Sequence, residues 1–274
     1  MIFANHAHLY PRELREDGSK DALLRLLDDC EIDKAVAFAP FSHRFRESAL
    51  FHDVNVNEWL AKEIAHDDRL VGFGTVDVLE GAAPIADQVQ QIFELGLRGI
   101  KLHPAAQEFA VDSETAYRIY DKAQQLGLFL SFHTGLHWHR IRDYRVLLFD
   151  EIAWDFPDLH FSMEHVGGYS FFREALLVLC NSSRDNPNVL AGLTSVEPDE
   201  NGLPGPWSLS DEEIETLIHQ TGVDRTIFGL DFPFKKADYI RRAMARIRSL
   251  RIPDEAKENI LGKTLQKQLF HTEA

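Results

Sequence analysis

The first apolar run of the sequence ends in two histidines. His6 and His8 are separated by one residue. Alternate side chains of a β-strand share one face, so a strand here would place both imidazoles on the same side. Neutral imidazole nitrogen is a good ligand for Zn²⁺ and its first-row neighbours, so the pair could bind one metal ion. The alternative is a chance pair, because the chain contains 13 histidines.

Four further ionisable residues end later apolar runs. They are Lys101, His133, His165 and Asp231, and the first three recur at intervals of about 32 residues, the length of one strand–helix unit. Core packing at such strand ends would favour Val, Ile or Leu. We therefore expect these residues to meet His6 and His8 at one end of a sheet and to form an active site there.

The apolar periodicity predicts the elements that would carry these residues. Eight predicted strands alternate with helices, which favours a parallel sheet, and eight units favour closure into a (β/α)₈ TIM barrel of the α/β class over an open doubly wound sheet. The predicted strands cover residues 1–10, 34–40, 70–76, 98–102, 128–133, 160–165, 189–193 and 226–231. The main predicted helices cover residues 21–30, 47–66, 85–93, 113–126, 144–156, 170–180, 210–221, 237–249, 254–262 and 264–270.

Composition narrows the class of protein. The chain has 274 residues, is 45% hydrophobic and contains no linker rich in Gly, Pro or Ser, so we expect one domain over residues 1–274. No apolar run is long enough for a membrane span, and the start does not resemble a signal peptide. Cys30 and Cys180 are interpreted as reduced thiols, which favours the cytoplasm. The net charge of −15 argues against a nucleic-acid partner.

Taken together, the polar strand ends resemble the motifs of the amidohydrolase superfamily. The closer resemblance is to the amidohydrolase-related branch, which includes aminocarboxymuconate-semialdehyde decarboxylase and aromatic-acid decarboxylases. The segments that carry it are residues 5–8, 99–104, 131–135, 163–168 and 228–233. One departure is Asn5, where many relatives have Asp, and we expect this side chain to point away from the metal face.

The resemblance implies a set of site residues. In this branch His6, His8, His133 and Asp231 would bind one divalent ion, which we expect to be Zn²⁺, with Mn²⁺ as an alternative. His165 would be the catalytic acid–base residue, and Asp231 would also exchange protons with the bound water. Strand alternation would place Glu164 on the opposite face, as a structural partner.

Lys101 leaves two alternatives open. In two-metal amidohydrolases a carboxylated Lys bridges both ions and the His that corresponds to His165 binds the second one. We favour a single ion, with Lys101 facing the substrate as a cation and His103 lining the pocket.

The loops after the strands collect basic and aromatic residues in an acidic protein. We expect this positive mouth to attract a small carboxylated substrate, with Arg140 and Trp138 in contact with it. His137 and His139 repeat the spacing of the first pair within a loop, and we interpret them as pocket or lid residues rather than as a second metal site.

The function predicted from these observations is a metal-dependent hydrolase that attacks a small, carboxylated substrate through a metal-activated water. The first alternative is a metal-dependent decarboxylase of an unsaturated or aromatic acid, which needs the same groups. A barrel that only binds a ligand is disfavoured, because binding alone does not require both His165 and Asp231. The resemblance also suggests a homo-oligomer.

Overall fold

The computed structural model describes residues 1–78, 84–182 and 188–270, and these build a closed barrel of eight parallel strands. Each strand pairs with the next along the chain, and the first pairs with the last. The predicted TIM barrel is therefore confirmed, and every strand lies within two residues of its predicted bounds. The strands are β1 Phe3–His8, β2 Lys34–Phe38, β3 Leu70–Gly74, β4 Gly99–Leu102, β5 Phe129–His133, β6 Phe161–Glu164, β7 Val189–Thr194 and β8 Thr226–Phe232.

Helices surround the barrel and connect its strands. They are α1 Lys20–Asp29, α2 Ser42–Arg46, α3 Val56–Ile64, α4 Ile85–Glu94, α5 Glu114–Leu126, α6 Phe149–Asp155, α7 Gly168–Asn181, α8 Asp211–Thr221, α9 Ala237–Ser249, α10 Asp254–Glu258 and α11 Thr264–Phe270. Within the described ranges, no helix has the length and apolar character needed to cross a membrane.

Three predicted helices differ from the observed ones. The helix predicted over residues 47–66 begins only at Val56, because the Asn55 side chain caps it by accepting hydrogen bonds from two backbone N–H groups. The helix predicted over residues 144–156 divides into a 3₁₀ turn, Val146–Leu148, and α6. The helix predicted over residues 254–262 continues as α10 into a π-helical turn, Asn259–Lys263.

The two ends of the barrel differ in polarity. Large apolar side chains from β1, β2, β3 and β5 pack inside the barrel together with Leu265 and Leu269 of α11. Buried polar residues, by contrast, collect at the carboxyl ends of the strands. The apolar end stabilises the barrel, and the polar end is left for chemistry.

The backbone is irregular where the predicted site residues lie. His6, His165 and Asp231 all have positive φ, at 68°, 65° and 52°. The pairing of β1 with its neighbours also shifts register between Asn5 and Ala7. A non-glycine residue in this region costs about 1–3 kcal/mol and is concentrated at functional sites. The irregular backbone therefore marks the same strand ends as the polar side chains.

Candidate active site

His6, His8 and Asp231 meet where the barrel closes, since β1 and β8 are hydrogen-bonded neighbours. One ligand atom from each lies within 4.8 Å of the other two. The rings of the two histidines have centroids 5.0 Å apart, and His6 Nε2 is 3.6 Å from Asp231 Oδ1. Three of the four predicted metal ligands are thus brought together.

Glu164 determines which nitrogen of His6 is available. The His6 Nδ1–H donates to Glu164 Oε2 at 3.0 Å, because a carboxylate only accepts. The lone pair of His6 therefore lies on Nε2, the atom that faces Asp231. An outer carboxylate that fixes the tautomer in this way is a regular feature of metal-binding histidines.

The position of Glu164 corrects two predictions. We expected Glu164 on the opposite face and Asn5 turned away from the site, but both are fully buried inside the barrel and Asn5 Nδ2 donates to Glu164 Oε1 at 2.7 Å. The positive φ at His6 breaks strand alternation, so Asn5 and His6 both reach this carboxylate. Its other donors are Ser131, Ser162 and Thr194.

The charge states of this group suit a divalent ion. Burial, followed by the nearby positive charge of Lys101, lowers the pKa of His6 well below its usual value, and burial does the same for His8. Both rings are therefore neutral at pH 7, as a metal ligand must be. Burial raises the pKa of Asp231, while a 2.6 Å hydrogen bond from Ser195 Oγ lowers it. Two neutral imidazoles and a carboxylate fit Zn²⁺ or Mn²⁺.

His165 and His133 form a pair beside this group. His165 Nε2 lies 3.1 Å from His133 Nδ1. The outer nitrogens donate to the carbonyl oxygens of Thr194 and Gly135, at 2.6 and 2.7 Å, so the inner nitrogens can bond to each other only when the pair holds an added proton. Burial, together with Lys101, lowers the pKa of His165 to about 3. At neutral pH, His165 Nε2 is therefore a proton acceptor.

His133 lies outside the group formed by His6, His8 and Asp231. Its Nε2 is engaged by Gly135, and its Nδ1 faces His165. Its assignment as the fourth metal ligand stays a prediction. Trp207 stacks on His165 with ring centroids 4.3 Å apart and covers the pair from the loop that follows β7.

Lys101 brings a cation into the barrel. Its side chain is 1% exposed, and its Nζ lies 3.5 Å from His6 Nε2 and 5.1 Å from the centre of the Phe38 ring. Burial lowers its pKa to about 8, against the opposing effect of Glu164 and Asp231. Within the part of the chain that is described, Lys101 forms no ion pair with a carboxylate. It is therefore available to an anionic ligand.

The loops after the strands do not provide the substrate contacts that we expected. Trp138 is 93% exposed and Arg140 is also exposed, so neither is brought to the ligand group. Several of the loop cations that we expected to form a positive mouth are paired with carboxylates instead. These pairs are Arg12 with Glu16, Arg46 with Asp77, Arg142 with Asp143 and Lys236 with Asp17. These ion pairs weaken the positive electrostatic field that we expected around the entrance to the site.

Sequence reasoning missed two residues at the end of β7. Thr194 donates to Glu164 Oε2 at 2.6 Å, and Ser195 donates to Asp231. Both follow an apolar strand directly, in the position that identified the other site residues. The same argument would have found them if hydroxyl groups had been considered alongside ionisable ones.

Comparison with solved structures agrees with this architecture. An uncharacterized TIM-barrel protein from Bordetella bronchiseptica is similar, with a TM-score of 0.73, 20% identity and 98% of each chain covered. A dihydroxybenzoic acid decarboxylase from Polaromonas, with bound manganese and the inhibitor 2-nitroresorcinol, has a TM-score of 0.71 at 16% identity and covers 100% of this chain and 98% of its own. The 5-carboxyvanillate decarboxylase from Sphingomonas paucimobilis has a TM-score of 0.69 at 15% identity, with 98% of each chain covered.

At these identities the likeness establishes the fold. A search of curated proteins found no match. The family is decided by the sequence itself, because the model of the amidohydrolase family matches residues 6–264. That match runs from the first histidine of the ligand group to the start of the last helix, so the resemblance seen in the strand ends is confirmed and the chain belongs to the amidohydrolase family.

Proposed function

We propose that this protein is a metal-dependent lyase that removes CO₂ from a small aromatic or unsaturated carboxylic acid. The observation that carries the proposal is the convergence of His6, His8 and Asp231, with the His6 tautomer fixed by Glu164. The lyase is preferred to a hydrolase because several similar structures are decarboxylases, including those from Polaromonas and Sphingomonas, whereas a putative 2-pyrone-4,6-dicarboxylic acid hydrolase is one case among them.

The metal would be held by His6, His8 and Asp231, with His133 proposed as a fourth ligand. A divalent ion bound here supplies Lewis-acid stabilisation of the negative charge that develops on the substrate. Manganese is bound in the Polaromonas enzyme, and both Mn²⁺ and Zn²⁺ suit the donor set. We propose one ion; a pair bridged by carboxylated Lys101 is the less favoured alternative.

Lys101 is the residue proposed to bind the acid. An amine that is buried without an ion pair gains from the approach of a carboxylate, because the interaction is strong where water is excluded. Lys101 is a stronger candidate than the cations of the expected positive mouth, because four of those are paired with carboxylates. This argument supports a small anionic substrate, as does the acidic product or substrate named for each decarboxylase neighbour.

His165 is proposed to deliver the proton that takes the place of the lost carboxyl group. When the bond to the carboxyl group breaks, its electron pair stays on the substrate carbon, CO₂ leaves, and that carbon must receive a proton. His165 holds no proton on Nε2 at neutral pH, so it would take one from solvent, share it with His133 and give it to the substrate carbon. Trp207, stacked on His165, would limit the access of water to this step.

A hydrolase is the second candidate, because the matching family model is described as amidohydrolase and the lone pair on His165 Nε2 could accept a hydrogen bond from an attacking water. The two activities release different products. A barrel without catalysis would bind acids and release neither product.

The test is a screen of the Mn²⁺- or Zn²⁺-loaded protein against hydroxybenzoic acids labelled with ¹³C at the carboxyl group, and against lactones and amides of similar size. Labelled CO₂ that depends on the metal and is lost in His165→Gln would support the lyase. Cleaved lactone or amide without CO₂ would identify the hydrolase and reject the lyase. His66→Gln, which makes the same change at an exposed position, is the control for the variant.

A further inference from the structure

His103 lies one ring beyond the proton-carrying pair. It follows β4, is only 6% exposed and stacks on His133 with ring centroids 3.9 Å apart and planes at 11°. Two histidines of the loop after β5 also lie close to it, His137 at 5.7 Å and His139 at 5.5 Å between ring centroids. One ring nitrogen from each of the three lies within 4.8 Å of the others, so the rings surround a common gap.

The tautomer of His103 follows from its backbone contact. The Ala106 N–H donates to His103 Nδ1 at 3.2 Å, so Nδ1 holds a lone pair and the hydrogen of the neutral ring is on Nε2. This Nε2–H is buried and has no hydrogen-bond partner in residues 1–78, 84–182 and 188–270. His137 Nδ1, on one of the neighbouring rings, is also buried without one in these residues. Buried polar atoms normally have a partner, so the His103 Nε2–H is a donor that a bound ligand would satisfy.

We infer that the His103 Nε2–H donates a hydrogen bond to a carboxylate oxygen of the substrate and that His103 is a specificity-determining residue. The inference rests on the proposed function for its choice of ligand, since that function requires an acid. A carboxylate offers only acceptors, which is what a fixed N–H donor requires. The hydrogen bond would also be stronger than one to a neutral oxygen, because the acceptor is charged.

A transition metal is the other ligand that three imidazoles suit, and His103 argues against it. Coordination through Nε2 would require the ring hydrogen to move to Nδ1. There it would face the Ala106 N–H, and two donors would oppose each other. The carboxylate keeps the existing hydrogen bond and satisfies the free donor, so it is the ligand that the contacts favour.

The experiment measures binding, and CO₂ release is followed in the same samples so that turnover is recognised. Calorimetry would compare the affinity of the metal-loaded protein for 2-hydroxybenzoate and for neutral 2-hydroxybenzamide, in the wild type, His103→Leu and His103→Gln. Leucine removes the donor, whereas the glutamine amide restores an N–H near the position of Nε2. His66→Gln is the exposed control, and circular dichroism would verify that each variant is folded.

We expect His103→Leu to bind 2-hydroxybenzoate about 10- to 100-fold more weakly, the effect of losing a hydrogen bond to a charged group, and His103→Gln to stay within about fivefold of the wild type. The affinity for neutral 2-hydroxybenzamide should fall less than the affinity for 2-hydroxybenzoate when His103 is replaced by Leu. Equal affinity of wild type and His103→Leu, or no binding of the acid by the wild type, would overturn the inference. If the wild type binds one more equivalent of Zn²⁺ than His103→Leu does, the ligand of His103 is a metal ion and the inference is wrong. Acid binding that depends on His103 without CO₂ release would keep this inference and reject only the lyase.

Discussion

Replacing Glu164 with Gln tests how the metal ligands are held. The carboxylate is fully buried and receives hydrogen bonds from five side chains, two of them His6 and Asn5. Glutamine has one oxygen and one NH₂ group, so it can no longer accept on both sides. Either His6 or Asn5 must then face the new N–H donors.

Both orientations of the amide weaken the metal site. If the NH₂ group faces His6, the ring must move its hydrogen to Nε2 and loses the lone pair that would bind the ion. If the amide oxygen faces His6, Asn5 can turn its unpaired Oδ1 to the NH₂ group, but His6 then donates to a neutral acceptor and becomes a weaker ligand. Loss of an outer partner typically costs 10- to 100-fold in metal affinity, about 1.4–2.7 kcal/mol.

The assay is competition for Zn²⁺ and Mn²⁺ against a chromophoric chelator, with the wild type, Glu164→Gln and Glu212→Gln. Glu212 is exposed, so its variant controls for the loss of one negative charge. We expect affinity to fall only in Glu164→Gln. An affinity within twofold of the wild type in that variant, with the fold intact, would refute the claim that Glu164 fixes the metal-binding tautomer of His6.

Three further predictions concern the same end of the barrel. A Cβ at Gly192 would lie 2.5 Å from Glu164 Oε2, so Gly192→Ala should cost about 1–3 kcal/mol in unfolding free energy and weaken metal binding; an unchanged melting temperature would contradict this. Ser195→Ala removes the hydrogen bond to Asp231 and should lower the free energy of unfolding, measured with denaturant, by about 1.5–3 kcal/mol. A loss below about 0.5 kcal/mol would contradict this and show that water replaces the hydroxyl group. The pKa of buried His165 is about 3 in the folded chain and about 6.5 when unfolded, so the unfolded chain binds the extra proton and stability falls as the pH drops below 6.5. At pH 5 this loss is about 2 kcal/mol for the metal-free protein, and it should be absent in His165→Gln; equal pH dependence of the two chains would contradict the lowered pKa.

The strands and their order were predictable from the sequence because each is a short apolar run separated from the next by a helical pattern. The same pattern located His6, His8 and Asp231, since parallel strands of a barrel end on one face. Those predictions needed only the positions of strand ends. Only the pairing of His6 with His8 also used the alternation of side chains along a strand.

Side-chain direction was predicted wrongly where the backbone departs from regular strand geometry. Glu164 and Asn5 were assigned by alternation to faces away from the site. The positive φ of His6 lets Asn5 and His6 face the same interior, and the positive φ of His165 does the same for Glu164 and His165. Sequence patterns carry no signal for such a conformation at a non-glycine residue. The exposure of Trp138 and Arg140 likewise depends on the path of a loop, which periodicity does not describe.

The most direct test of the account is the metal content of the purified protein after growth with added zinc and manganese, measured by mass spectrometry for the wild type, His6→Ala/His8→Ala and His66→Gln. We predict about one equivalent in the wild type and in His66→Gln, and its loss in the double variant, since His6 and His8 supply two of the three ligand atoms that converge. A wild-type protein that retains no metal, or a double variant that retains as much as the wild type, would contradict the central claim.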